Sequence, residues 1–484
     1  MQLRPLLLAI GIMTVLLGVA MLPCALIDWA DKRPEAHVFA VSSFGAVFIG
    51  TCLWVLSQGT VERIGQREAS LLTVMTWIAV PMIAAIPFLI SGMSFTDSVF
   101  ESVSGLTTTG STVLTGLDSL PRGLLLWRST IHWIGGIGIV VTAIAILPQL
   151  RVGGMQLFQL ESSDRSGKFL PRVTDIATYL SLTYLITSIA CALTYYLCGM
   201  SWFDAICHAM ATLSAGGFST HDASFSYFND TPAPWAAIVF MLIAGLPFSL
   251  MAMLVLQGRV MQFVHDPQPR LFLSLAAIFS AINAILYFSA STTLEENGVL
   301  GTLKLAIFNT VSVITGTGFA NAPYDTWGTP VMAVILGVTF VGGCAGSAAG
   351  GFKTFRLEIA AKALFAYSRR MVQPHRRSPI KYGGKTVDEA TLQSVMVFMF
   401  LYIAAFLISS ALLSLDGLDA TTAISAAATT FANVGPGLGP VNGPSSTFQG
   451  FSDFSKWICT INMLLGRLEF VVVFVVLTRR FWRG

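Results

Sequence analysis

Charge is what this sequence has least of: only 11% of its 484 residues are Asp, Glu, Lys or Arg, against roughly a quarter in a soluble protein. Hydrophobic residues make up 54%, so a soluble globular enzyme is excluded and a polytopic membrane protein is implied. The seven cysteines, Cys24, Cys52, Cys191, Cys198, Cys207, Cys344 and Cys459, lie scattered in apolar segments. They form no C-x-x-C and have no histidine cluster beside them, which excludes a disulfide framework or thiolate metal site and leaves buried free thiols. Walker and dinucleotide-binding fingerprints are also missing from any strand-turn-helix setting, so nucleotide control, where it exists, comes from another chain.

What the chain does have is apolar length. Roughly 20 apolar residues span a bilayer, and ten runs meet that need: about 5–27, 38–57, 70–91, 124–147, 174–198, 234–257, 271–290, 330–368 with an interruption, 391–414 and 454–478. Met1 to Ile27 carries Arg4 before its apolar core and competes with a signal peptide. It is long for one and has no small-x-small site before Asp28, so a retained first span is the reading.

Between these runs a short polar, glycine-bearing break occurs four times. The copies are Leu106-Thr107-Thr108-Thr109-Gly110-Ser111-Thr112, Leu213-Ser214-Ala215-Gly216-Gly217-Phe218-Ser219, Ile314-Thr315-Gly316-Thr317-Gly318-Phe319-Ala320 and Phe431-Ala432-Asn433-Val434-Gly435-Pro436-Gly437. Aligned without gaps they share one column, Gly110, Gly217, Gly318 and Gly435, at intervals of 107, 101 and 117 residues. Each break follows a run that fits a half-helix. The first, Ser94 to Leu106, aligns with Ser201 to Leu213, pairing Asp97 with Asp204 and Glu101 with His208.

The fold class that follows is an all-α polytopic membrane protein: a two-helix preface, then four helix, half-helix, loop, helix units around a pseudo-fourfold axis. The boundaries fall at 1–68 for the preface and 69–160, 161–268, 269–375 and 376–484 for the units. Non-helical backbone at membrane depth is tolerated only where protein buries it or a watery cavity borders it. Four re-entrant loops on one axis satisfy that condition, and their glycines let successive carbonyls turn inward to replace water around a dehydrated cation. The expected filter residues are Thr108, Thr109 and Gly110, then Ala215, Gly216 and Gly217, then Gly316, Thr317 and Gly318, and finally Asn433, Val434 and Gly435. Glycine also serves close helix packing in membranes, but packing does not explain four copies at matching positions after half-helices.

Charge distribution gives an independent topology. With Arg467 and Glu469 assigned to it, the side holding the termini and the loops near 58–69, 148–173, 258–270 and 369–390 carries 22 of the 28 basic residues and 10 of the 25 acidic ones. Lys and Arg mark the cytoplasmic side. Both termini are therefore expected there, with the filter mouth facing outward behind acidic residues such as Asp118, Asp222, Asp230 and Asp325.

Two further features point to control of a pore. Gly342-Gly343-Cys344-Ala345-Gly346-Ser347-Ala348-Ala349-Gly350-Gly351 holds five glycines and no bulky side chain. A continuous helix would lose about 1 kcal/mol per glycine relative to alanine, so an unwound gate is expected there, with Gly342, Gly343, Gly346, Ser347, Gly350 and Gly351 as its residues; a kinked helix crossing is the alternative. Arg467, placed in the last helix, either opposes a cation in the pore or serves a structural ion pair, with Glu469 two residues on. The basic run Arg369-Arg370-Met371-Val372-Gln373-Pro374-His375-Arg376-Arg377, with Lys381 and Lys385, fits either the positive-inside rule alone or a docking patch for an acidic regulator or anionic lipid.

On these residues the sequence resembles the TrkH/TrkG/KtrB family of bacterial potassium transporters, relatives of the plant HKT transporters, and the two-helix preface resembles the TrkH branch. The resemblance implies K+ uptake through the bacterial inner membrane, the four column glycines as filter glycines, Gly342 to Gly351 as the intramembrane gate and Arg467 as the pore arginine. It also implies a homodimer with one pore per protomer, and a cytosolic ring of TrkA-type subunits whose RCK domains bind ATP, ADP or NAD(H). K+ is then the transported ion held in the filter; no organic cofactor on this chain and no nucleic-acid partner are expected. A carrier coupling K+ to Na+ or H+ is the nearest rival. An intramembrane protease using Ser347 with His132 or His208 is the enzyme-class rival, and it leaves the four glycine loops unexplained.

Overall fold

The computed structural model describes residues 4–59, 65–141, 173–258, 260–290, 293–374, 379–468 and 470–483. They are mostly helical. Among the described residues six helices are long and apolar enough to cross a membrane, or seven if one bent pair is a single span, fewer than the ten runs expected because several of those runs are broken or shortened. All seven cysteines are free, but not all are buried as expected: Cys52 is exposed and Cys198 half-buried on their helices. The one piece of strand among the described residues is a small hairpin, Lys381–Tyr382 against Lys385–Thr386, closed by Gly383 and Gly384, both at positive φ.

Arg4–Ala30 and Ala36–Leu56 form the preface. They approach closely because Gly11, Gly18 and Gly50 leave no side chain between them, and the Ser43 hydroxyl donates to the Gly18 carbonyl at 2.7 Å. The pair docks on the first unit through polar contacts at one end, where Arg122 donates to Asp31 and the Gly123 amide donates to Asp28 at 2.6 Å.

Each unit then contributes a long helix, a short pore helix and a second helix. The pore helices are Phe95–Leu106, Trp202–Leu213, Gly298–Ile314 and Ala420–Ala432. Three begin at a side-chain cap: Ser94, Ser201 and Asp419 accept from the amides of Asp97, Asp204 and Thr422. The third starts instead at a kink, with Gly298 at φ 63°.

The second helices differ among units. Arg122–Val141 is regular, but the single run expected over 234–257 is two helices, Ala233–Ala244 and Phe248–Gln257, meeting at 106°. Pro247 cannot donate to the helical ladder, and the freed Phe248 amide donates to the Gly346 carbonyl at 3.1 Å. In the third unit Thr329–Thr339 and Thr354–Val372 flank a non-helical stretch. The fourth unit has Asp453–Leu468 followed by Phe470–Leu477. Glu469, the basic residues of 148–172, and His375, Arg376 and Arg377 lie outside the described residues.

Candidate functional site

Every pore helix ends in the same backbone turn. The Thr109, Gly216, Thr317 and Val434 amides reach back five residues to the carbonyls of Ser104, Ala211, Ser312 and Thr429 at 2.9–3.0 Å. This is the Schellman closure, which needs a left-handed residue just before that amide. Thr108, Ala215, Gly316 and Asn433 fill that place, at φ 51°, 54°, 71° and 53°. Two residues further on, Gly110, Gly217, Gly318 and Gly435 are left-handed again, at φ 83°, 73°, 79° and 106°. One conformation thus repeats four times, and three of its first left-handed positions hold residues with a Cβ, a strained choice for the β-branched Thr108 in particular.

The four turns close into a ring. A Cβ built on Gly110 would lie 2.0 Å from the Gly216 carbonyl oxygen, one on Gly217 would lie 2.0 Å from Thr317 O, and one on Gly318 would lie 1.8 Å from Val434 O. The circuit is completed by Gly435, whose added Cβ would lie 2.7 Å from Thr109 O. The order is therefore one, two, three, four and back to one, with four equivalent carbonyl oxygens each seated against the bare α-carbon of a neighbouring unit. Glycine is required in this column twice over, for its φ and for the space.

Units one and three face one another and share chemistry: the Thr107 and Thr109 hydroxyls pair at 2.8 Å, as do those of Thr315 and Thr317. The fourth loop is tied to the first. Asn433 Nδ2 donates to the Thr109 hydroxyl at 2.8 Å and to Met463 O at 3.0 Å, while the Ser111 hydroxyl donates to Gly435 O at 3.0 Å. Among the described residues no group of three His, Cys, Asp or Glu side chains is placed to hold a metal ion; the oxygens at the ring belong to backbone and hydroxyls. The negative ends of the four pore-helix dipoles converge on it.

Directly beneath the ring lies the stretch 340–353. Gly350 abuts the fourth pore helix, since a Cβ there would sit 2.0 Å from Ala432 O, and its amide lies beside Gly316. Gly342, Gly346 and Gly351 are all left-handed, and Gly342 packs on Gly350. The Ser347 hydroxyl donates to its own loop, to Cys344 O at 2.6 Å, and Gly343 O accepts from the Thr354 amide at 3.0 Å. Neither His132 nor His208 is a base for Ser347: His132 Nδ1 bonds Gly105 O and His208 bonds Asp204 O and Ser219. The stretch also docks into the bend of the second unit, where Cys344 N donates to Gly245 O at 2.9 Å.

Two cations hold its carbonyls. Lys353 donates to Ala349 O. Arg467, buried, donates through Nη1 to Ala348 O at 2.9 Å, and among the described residues Nε and Nη2 have no acceptor. The alternatives left by the sequence, a free pore charge or an ion pair, are thus joined by a third: an arginine fastened to the backbone of the glycine-rich loop.

At the rim, His221 bridges the first two units. Its Nδ1 lies 2.5 Å from Asp118 Oδ1 and its Nε2 3.5 Å from Asp204 Oδ1, with Tyr227 stacked on the ring at 3.7 Å. Burial alone would lower its pKa, but Asp204 and Asp118 outweigh burial and raise it above the ordinary value, and the bond from His221 holds the Asp118 carboxyl low.

Sequence reasoning missed the left-handed Thr108, Ala215 and Asn433, and it missed the bend, although Gly245-Leu246-Pro247 inside an apolar run was a usable signal.

Comparison with known proteins supports a single assignment. The family described as TrkH, cation transport protein, matches residues 36–481. The Trk system potassium uptake protein TrkI of Halomonas elongata is 37% identical over 482 residues, covering 99% of this chain and 97% of that protein. TrkH of Escherichia coli strain K12 is 35% identical over 480 residues, 98% of each chain. The crystal structure of the potassium transporter TrkH from Vibrio parahaemolyticus matches with a TM-score of 0.91 at 33% identity, over the full length of both chains.

Proposed function

This chain belongs to the TrkH family of cation transport proteins, and from that premise we propose that it takes up K+ through the inner membrane by a channel-like pore. It is a multi-pass membrane transporter and not an enzyme. On this reading residues 1–68 are an accessory helix pair, and 69–160, 161–268, 269–375 and 376–484 are the pore units.

The observation that carries the proposal is the closed ring in which each column glycine receives a carbonyl oxygen from the next unit. The Thr109, Gly216, Thr317 and Val434 oxygens would replace water around a monovalent cation, with Thr108, Ala215, Gly316 and Asn433 supplying the turns that aim the flanking carbonyls. Beneath the filter, Gly342, Gly343, Gly346, Ser347, Gly350 and Gly351 would obstruct the path, and Arg467 and Lys353 would hold them there. The gate would open when a cytosolic partner of the Trk system pulls on Thr354–Val372, which continues directly from it; the nucleotide-binding TrkA-type ring and a homodimeric assembly belong to this proposal. A coupled carrier of K+ with Na+ or H+ is the second reading, favoured by the two broken second helices.

Rb+ uptake into vesicles containing the purified protein tests the reading, with K+, Na+ and Li+ as competitors. Strong suppression by K+ and weak suppression by Na+ and Li+ is expected. Equal competition by all three would rule out a selective carbonyl filter.

A further inference from the structure

Behind the ring, one side chain recurs at the same register on three of the four pore helices, nine residues before the column glycine: Glu101, His208 and Asn309. Each is buried, and each reaches to the limb of its own loop that leaves the ring. Glu101 accepts from the Thr112 hydroxyl at 2.9 and 3.0 Å and from the Val113 amide at 3.0 Å. His208 donates from Nδ1 to Asp204 O, so its Nε2 accepts, taking the Ser219 hydroxyl at 3.0 Å. Asn309 donates to Asn321 Oδ1 at 2.8 Å and accepts from the Asn321 amide at 3.3 Å. The fourth unit has Ala426 at this register, which can make no such bond.

Glu101 does not act alone. Arg128, equally buried, donates from Nε to Glu101 at 2.8 Å and from Nη2 to the Thr112 hydroxyl at 3.1 Å. Its Nη1 crosses to the second unit and donates to Ser219 O at 2.9 Å, and the guanidinium lies 4.1 Å over the Phe218 ring. One side chain therefore fastens the exit limbs of two adjacent loops, and every nitrogen of the fork is engaged. A charge pair taken wholly out of water is held only by such completeness.

We propose that Glu101, His208 and Asn309 are positioning residues that fix the width of the filter by tying down the exit limbs of three loops, and that Arg128 locks the first two loops to one another. The inference rests on the reading of the ring as the filter. A ring held at one width can coordinate K+ and cannot close around the smaller Na+; a ring released at two adjacent loops can.

The test is the double variant Glu101→Gln/Arg128→Gln, which removes both charges together and keeps hydrogen-bonding groups at both places. Breaking the pair by Glu101→Gln alone strands a buried charge and is expected to cost folded protein, so it serves as the stability control. With thermal stability of the detergent-solubilised double variant close to the parent, the preference for K+ over Na+ in Rb+ competition is expected to fall about tenfold or more. Partial return of the preference in Arg128→Lys would support positioning, since lysine keeps the charge and can still reach Glu101. A double variant that folds and retains the parent preference, or one that merely loses stability with the preference unchanged, overturns the inference. Gly318→Ala separates the two claims: if it destroys uptake while the double variant discriminates normally, only the positioning role fails, whereas if Gly318→Ala transports and discriminates like the parent, the filter reading itself falls.

Discussion

Gly318→Ala is expected to lower Rb+ uptake by about 100-fold or more at an unchanged amount of folded protein in the membrane. The added methyl would lie 1.8 Å from Val434 O and 2.9 Å from Pro436 Cδ, and the residue sits at φ 79°. A side chain in left-handed backbone costs about 1–2 kcal/mol, and overpacking a close-packed site adds about 1–3 kcal/mol. Neither neighbour can yield cheaply. Val434 is backbone whose amide is fixed on Thr429 O at 3.0 Å, and Pro436 is a rigid ring. Together the two terms reach about 3 kcal/mol, which is a factor of about 100 at roughly 1.4 kcal/mol per decade. The ring has to open at the joint between its third and fourth loops, and the carbonyl that is displaced is one that would coordinate the ion. Gly435→Ala, with 2.7 Å to Thr109 O, is expected to be less severe. Uptake by Gly318→Ala within about threefold of the parent would contradict the assignment of this column.

Arg467→Ala is expected to act in the opposite direction and raise cation flux by about tenfold or more. On the proposed reading the arginine would hold the path shut in two ways. Its bond to Ala348 O, 2.9 Å, is a charge-assisted one, a class whose members contribute about 1.5–3 kcal/mol, and it fastens the glycine-rich loop beneath the ring. Its charge, with Nε and Nη2 lacking acceptors among the described residues, would oppose a cation roughly 5 Å away by about 3 kcal/mol at an effective dielectric near 20. Removing the side chain removes both effects, while Arg467→Lys keeps the charge and is expected to fall between. Tracer flux at matched protein density measures this, and unchanged or lower flux in a well-folded Arg467→Ala protein would remove the residue from the pathway.

The column glycines were legible in the sequence because nothing else satisfies a positive φ next to a neighbouring backbone, so the requirement leaves a residue type behind. Thr108, Ala215 and Asn433 adopt the same handedness with a side chain in place, held by helix-end hydrogen bonds, and that leaves no mark on composition. Hydropathy located ten apolar runs, but among the described residues only six helices are long and apolar enough to cross a membrane, or seven if the bent pair is one span, because several runs are broken. The 106° bend of the second unit was not read. Its stability comes from the loop of another unit, Gly346 O and the Cys344 amide, and such contacts carry no periodicity. For the same reason the partner of Arg467 was hidden: a backbone carbonyl 119 residues away looks like any other residue. Glu101 and His208 could be aligned from the repeat, but what they hold depends on the turn that brings Thr112 and Ser219 back over the pore helix.

Anomalous scattering from crystals of the protein grown with Rb+ in place of K+ locates the ion directly. A peak is expected on the axis of the ring, within about 3 Å of the carbonyl oxygens of Thr109, Gly216, Thr317 and Val434, the range in which oxygen replaces hydration water around a dehydrated cation. An axis without Rb+, with the ion instead on side-chain carboxylates at the rim, would contradict it.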